Sequence, residues 1–215
     1  MKMTWTFLIA LALTALGSSA PAADVQTGIS IGGDGVKGFY LAIGETYRVS
    51  EKEVVTIHDR RVSDDELPVV FFIARRAGVP ARTVAEFRLE GKPWIEVALH
   101  FGLGADAFYV EYNDVPRGPY GHAYGYYRNH PRKEWHSLRL DDAAVIDMVN
   151  LRFVVDRYRC TPDDVFRMRA DRKSFVAIHD EAGRGRHKDK AAEKKKNVIV
   201  VKSTKEKHGH KQHGD

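Results

Sequence analysis

The residues best suited to chemistry lie between Tyr109 and Leu140. Six of the nine tyrosines fall within Tyr109–Tyr127, mixed with Gly, Pro, His and Arg. Tyr120, His122, Tyr124, Tyr126, Tyr127, Arg128 and Trp135 are the set expected to bind a ligand. Aromatic faces stack on sugar rings or bases, and guanidinium groups grip an anionic polymer. The same rings could instead fold back over neighbouring helices, with their hydroxyls as hydrogen-bond anchors. His122, His136 or Glu134 would serve an enzyme sited where this stretch meets a helix, and His122, His130 and His136 are the loop's imidazoles for a metal.

A second group is His208, His210 and His213, spaced H-x-H-x-x-H. Imidazole suits Zn, Cu or Ni. No thiolate or carboxylate partner stands at ligand spacing, so only weak metal binding is expected. The remaining signals point away from catalysis. GxSxG, HExxH and the Walker loop are absent. Gly33-x-Gly35-x-x-Gly38 spells the dinucleotide fingerprint, but no strand–helix–strand alternation surrounds it. The paired carboxylates Asp64-Asp65 and Asp141-Asp142 sit at helix starts, where capping and the macrodipole explain them. No catalytic residue is assigned, no cofactor is expected, and the chain reads as a non-enzyme.

The elements that hold these residues read as helices. Ser50 with Glu53, and Ser63 with Glu66, are capping boxes that open helices. Leu67, Val70, Ile73, Ala74 and Ala77 follow at helical spacing until Gly78 stops them. A further helix begins at Pro80, Gly91-Lys92-Pro93 breaks it, and Trp94–Phe101 makes another. Phe39–Tyr47 is a short apolar helix candidate. Asp141 caps a helix over Asp142–Tyr158, and Thr161-Pro162 caps a last pair.

The helices repeat. Arg48-Val49-Ser50 with Val54 and Ile57 aligns with Gly78-Val79-Pro80 with Val84 and Phe87. It aligns again with Arg159-Cys160-Thr161, Val165 and Met168. The offsets are 30 and then 81 residues. Lys92–Val97 matches Lys173–Ile178, and Gly102-Leu103-Gly104 with Phe108 reads as a truncated fourth start. Each unit would expose an apolar face that the next covers. Cys160 stands where Val49 and Val79 stand, so it reads as a small buried hydrophobe. As the only cysteine it allows no internal disulfide.

The fold class is therefore all-α: tandem short helix-turn-helix-like units in one helical bundle. An irregular insertion covers 109–140, with a short hairpin near Pro116–Gly118. Residues 1–23 read as a signal peptide, with Lys2, the apolar run Trp5–Leu16, and small residues for cleavage near Ala22 or Ala23. Residues 24–38 read as a flexible Gly-rich leader and 39–181 as the helical domain. Residues 182–215 read as a disordered Lys/His-rich tail. That tail holds 11 Lys/Arg against 4 Asp/Glu, +7 of a total of +5, so residues 1–181 carry −2.

Two resemblances follow. IARRAGVPARTVAEF, with Ala74, Gly78, Val79 and Val84, resembles the bacterial helix-turn-helix signature, whose second helix reads the major groove. Glu51, Glu53, Asp163 and Asp164 at the other helix starts oppose phosphate, as does export. The body is also similar to an uncharacterised family of exported bacterial proteins with helix-turn-helix-like repeats. That similarity rests on Phe39–Gly44 with Tyr47, Leu67–Arg76, Trp94–Gly102, Pro119–Arg128 and Ser174–Glu181. The family has no established activity, so the resemblance implies a fold and a compartment only.

The expected protein is a periplasmic or secreted binding or scaffolding module. Its basic tail would attract an anionic envelope polymer or membrane surface. A nucleic-acid-binding helix-turn-helix protein and an enzyme at the Tyr/His-rich loop are the alternatives.

Overall fold

The structure, a computed structural model, describes residues 33–116 and 118–185. The elements are helices and short 3-10 turns, with no strand among the described residues. In order they are α1 (Gly33–Tyr47), α2 (Glu51–His58), α3 (Leu67–Ala77), α4 (Ala81–Leu89), α5 (Trp94–His100), α6 (Pro119–Arg128), α7 (Asp142–Tyr158) and α8 (Pro162–Ala170). A last helix, α9, covers residues 175–185. The expected signal peptide and most of the Lys/His-rich tail, with His208, His210 and His213, lie outside the described residues.

The core is organised on α3 and α7. Every residue from Leu67 to Ala74 is buried, as an all-apolar helix surface requires. α3 packs against α1, α4 and α7, and α6 covers another side of α7. The Ser63 box opens α3 through a 3-10 turn, Asp64–Glu66. Its Glu66 carboxylate accepts the Ser63 hydroxyl at 2.8 Å.

The turns between helices share one backbone form. Arg48, Gly78 and Arg159 end α1, α3 and α7 with φ of 62°, 69° and 57°. Extended caps follow at Ser50, Pro80 and Thr161. The next turns do the same at Arg61, Gly91 and Arg172, with φ of 73°, 83° and 59°. Both sets are spaced 30 and 81 residues apart. Left-handed backbone costs an L-residue about 1 kcal/mol or more. The four arginines sit just beyond helix C-termini, where a cation meets the negative end of the macrodipole.

Another correspondence at 81 residues is chemical. Arg88 lies over the Trp94 ring at 5.0 Å and donates to the Lys92 carbonyl. Arg169 lies over the Phe175 ring at 4.3 Å and donates to the Lys173 carbonyl. Arg88 bridges Glu66 and Asp142, and Arg169 pairs with the buried Asp147. Burial pushes Glu66 up, but hydrogen bonds from Ser63, Arg88 and Trp94 outweigh it and hold the carboxyl below its ordinary value.

Several expectations need correction. The Gly-rich leader is helical from Gly33, because Phe39 and Ile43 anchor α1 in the core and glycine's modest helix cost is overridden. The insertion is not irregular throughout: it contains α6 and a 3-10 turn, Arg132–Ser137. Among the described residues no strand flanks Pro116, and Gly118, at φ 66°, is the N-cap of α6. The tail boundary at 182 falls inside α9. Asp65 and Asp142 do more than cap their own helices, since each accepts the first N–H of a distant one.

Candidate functional site

The insertion is fastened by its aromatic residues. Glycines at 118, 121 and 125 allow a tight entry to α6, and Gly121 is required because a Cβ there would lie 2.8 Å from the Pro116 carbonyl. The spacing of Tyr120, Ala123, Tyr124 and Tyr127 gives one apolar face, and all four are buried against α7 and α8. Each phenol donates to a backbone carbonyl: Tyr120 to Asp147, Tyr124 to Val110 at 2.8 Å, and Tyr127 to Ala105 at 2.9 Å. Burial raises all three hydroxyls well above the ordinary tyrosine value. These tyrosines therefore cannot offer their faces to a ligand while the insertion is docked. This corrects the expected binding set, because the helix turns that share their spacing also share a buried face.

Trp135 is half-buried and completes the fastening. Its ring lies 4.5 Å from Tyr109 and 5.1 Å from Tyr127, and its indole N–H donates to the Tyr127 and His130 carbonyls. The 3-10 turn that carries it rests on Gly104, where an added Cβ would lie 2.5 Å from the His136 carbonyl.

The remaining members of the expected set face outward. His122 Nε2 lies 2.7 Å from Asp141, which also accepts from the Tyr126 hydroxyl and caps α7 at Ala144. Burial pushes Asp141 up, but the Ala144 N–H and His122 outweigh it and lower the carboxyl. His136 pairs instead with Asp106 at 3.1 Å, and Glu134 is exposed. His122 and His136 thus serve different carboxylates, and no Ser, Thr or Cys side chain hydrogen-bonds either. Arg128, Arg132, Lys133 and Arg139 are exposed, and none makes an ion pair with a described residue.

No protein-family model, curated protein or solved structure matches the chain.

Among the described residues no group of three or more His, Cys, Asp or Glu could hold a metal ion. None of the described helices is long and apolar enough to cross a membrane. Cys160 is half-buried beside the core with its thiol pushed up by burial, as Val49 and Val79 pack at the matching turns. His179 is buried between the Phe39 ring and the Tyr158 hydroxyl.

Sequence reasoning missed Arg152 and Arg76. Arg152 is half-buried on α7, with its cation 6.0 Å from the Phe72 ring and an N–H donated to the Tyr109 carbonyl. Arg76 lies over the same ring at 5.3 Å. The signal was an arginine inside the apolar run Leu151–Val155, a position where a charge needs a reason.

Proposed function

We propose that this protein is an exported, non-catalytic binding module for an anionic polymer of the cell envelope, with the outer side of the docked insertion as its contact surface. The observation that carries the reading is the set Arg128, Arg132, Lys133 and Arg139: four exposed cations without a carboxylate partner, next to the half-buried Trp135. Most arginines elsewhere on the body are committed, Arg88 and Arg169 to acids and Arg75 to the Tyr47 carbonyl. The sequence supports export through Lys2, Trp5–Leu16 and Ala20–Ala23. The +7 excess of 182–215 adds a second, sequence-independent attraction for polyanions. DNA reading by α4 fits less well, because its exposed Arg82 is paired with Glu86 at 2.9 Å.

Titration with polyglutamate, polygalacturonate and neutral dextran at rising salt tests the reading. Binding to at least one polyanion that weakens with salt, and none to dextran, is expected. Failure to bind either polyanion overturns it. N-terminal sequencing of protein from a periplasmic fraction should begin near Ala23 or Asp24. An intact Met1 on cytoplasmic protein overturns the export part.

A further inference from the structure

One strip alternates cations with aromatic rings, from the buried Phe72 to the half-buried Tyr109 and Trp135. Arg76 and Arg152 share the Phe72 ring at 5.3 and 6.0 Å. Arg152 donates to the Tyr109 carbonyl, and the Tyr109 ring lies 4.5 Å from Trp135. Arg132 then covers the Trp135 ring at 5.3 Å. The strip joins α3 and α7 to the insertion, elements far apart in sequence.

Three observations mark this strip as unsatisfied. Arg76, Arg152 and Arg132 make no ion pair with a described residue, and the Nε of Arg152 is buried without a hydrogen-bond partner. Asp156, one helical turn beyond Arg152, is exposed and unpaired to it. Seven other tyrosines in the described residues commit their hydroxyls, to a carbonyl, a carboxylate or His179. Tyr47 and Tyr109 are the exceptions among the described residues; the Tyr47 hydroxyl feels the Arg152 charge, and Arg152 donates to the backbone carbonyl of Tyr109. A half-buried guanidinium whose Nε has no partner is costly in a folded protein unless a ligand completes it.

We propose that the strip Arg76–Phe72–Arg152–Tyr109–Trp135–Arg132 is the binding track for an acidic polysaccharide. Sugar rings lie against the exposed parts of the half-buried Tyr109 and Trp135, and carboxylates or sulfates on successive sugars reach the three arginines. The track rests on the binding-module reading and narrows it to one class of polymer. A ring-free polyanion would satisfy the cations and leave the rings idle. Single-stranded nucleic acid has both features, but a chain that carries an export signal meets polysaccharide.

The test is affinity for polygalacturonate, polyglutamate and poly(dT), measured by Trp fluorescence on the full mature chain and on a chain ending at Gly185. The track predicts polygalacturonate binding at least about 5-fold tighter per charge than polyglutamate, as stacking and cation contacts add. Arg76→Gln, Arg132→Gln and Arg152→Gln should each weaken it about 5- to 10-fold and flatten the salt slope by roughly one. Arg76 and Arg132 are exposed, so those two variants fold even if Arg152→Gln does not. Equal affinity for polyglutamate, or Arg76→Gln and Arg132→Gln binding like the parent, overturns the track while leaving the module reading intact. Tighter binding of poly(dT) than polygalacturonate also overturns it, in favour of nucleic acid. No binding to any polyanion fails the module reading itself.

Discussion

The backbone N–H of Trp94, which opens α5, donates at 2.7 Å to the carboxylate of Asp142 at the start of α7. A matching bond runs the other way: the N–H of Phe175, which opens α9, donates to Asp65 just before α3. Each central helix start thus caps a helix that belongs to the other half of the bundle. Arg88 pairs with Asp142 across the first crossing, while Arg169, at the equivalent position, pairs with Asp147 of its own half and acts on Asp65 only through its charge. The halves are fastened by reciprocal polar contacts as well as by the shared apolar core, which fixes their register as burial alone would not.

Asp142→Ala should therefore destabilise more than loss of an ordinary surface acid. It removes a helix cap and one of the two acids on Arg88, so about 1–3 kcal/mol is expected in urea unfolding. Glu96→Ala, an exposed acid in the first turn of α5 with no ion pair to a described residue, is the control and should stay within about 0.5 kcal/mol. Equal effects of the two would show that the crossing contributes nothing beyond local charge.

Two glycines separate strain from collision. Gly78 has φ 69° and nothing within 4 Å of an added Cβ, so Gly78→Ala meets only conformational cost, about 1 kcal/mol. At Gly44 a Cβ would lie 2.9 Å from the Val49 carbonyl that follows the turn. Gly44→Ala must shift backbone, and about 1–3 kcal/mol is expected. Thermal unfolding of both, with Arg48→Gly as the reverse change, checks the order. Arg48→Gly should be near neutral, since relief of φ 62° is offset by loss of a cation at a helix end.

Much of this was legible from residue types. The boundaries of α7 follow from Asp141 and the turn at Arg159, and α3 ends where Gly78 adopts the left-handed form. Arg48 and Arg159 align with Gly78 in the sequence, but their left-handed backbone is visible only in the structure, because propensity alone does not put an arginine there. What failed was period in short segments. Pro119–Arg128 reads as irregular because Gly121 and Gly125 depress helix propensity, yet Tyr120, Tyr124 and Tyr127 recover it by burial. The binding set was judged by residue type, and type does not tell an inward tyrosine from an outward one. Arg152 and Tyr109 meet across 43 residues, a pairing no local pattern encodes.

His179 should make stability fall with acid. Burial, and then the nearby Arg157, depress its pKa from 6.5 to about 4. The unfolded state then binds more protons between those values, so stability is full above about pH 6.5 and is lost as pH falls toward 4. The loss is at most about 3 kcal/mol. Burial raises Asp65 and Asp147, which act in the opposite sense as they protonate. Comparing the pH dependence of urea midpoints for the parent and His179→Phe isolates the histidine. Identical slopes between pH 6.5 and 4.5 would refute its role.

Gly104→Ala should release the insertion while sparing the core. An added Cβ would lie 2.4 Å from His136 Nδ1 and 2.5 Å from the His136 carbonyl. A rotamer change can move the ring but not the carbonyl, so the turn Arg132–Ser137 has to lift off Ala105–Phe108. Trp135 would then lose its contacts with Tyr109 and Tyr127, and its emission should shift to the red. Helical content should stay close to that of the parent, because α3 and α7 pack chiefly against each other and against α1, α4 and α6. Limited proteolysis should cut first between Arg128 and Arg139, where the chain is already exposed. Polygalacturonate affinity should fall with it, since Arg132 and Trp135 would no longer line up with Tyr109 and Arg152. A variant with unshifted emission and parent-like protease resistance would show that the turn does not depend on the bare Gly104 backbone.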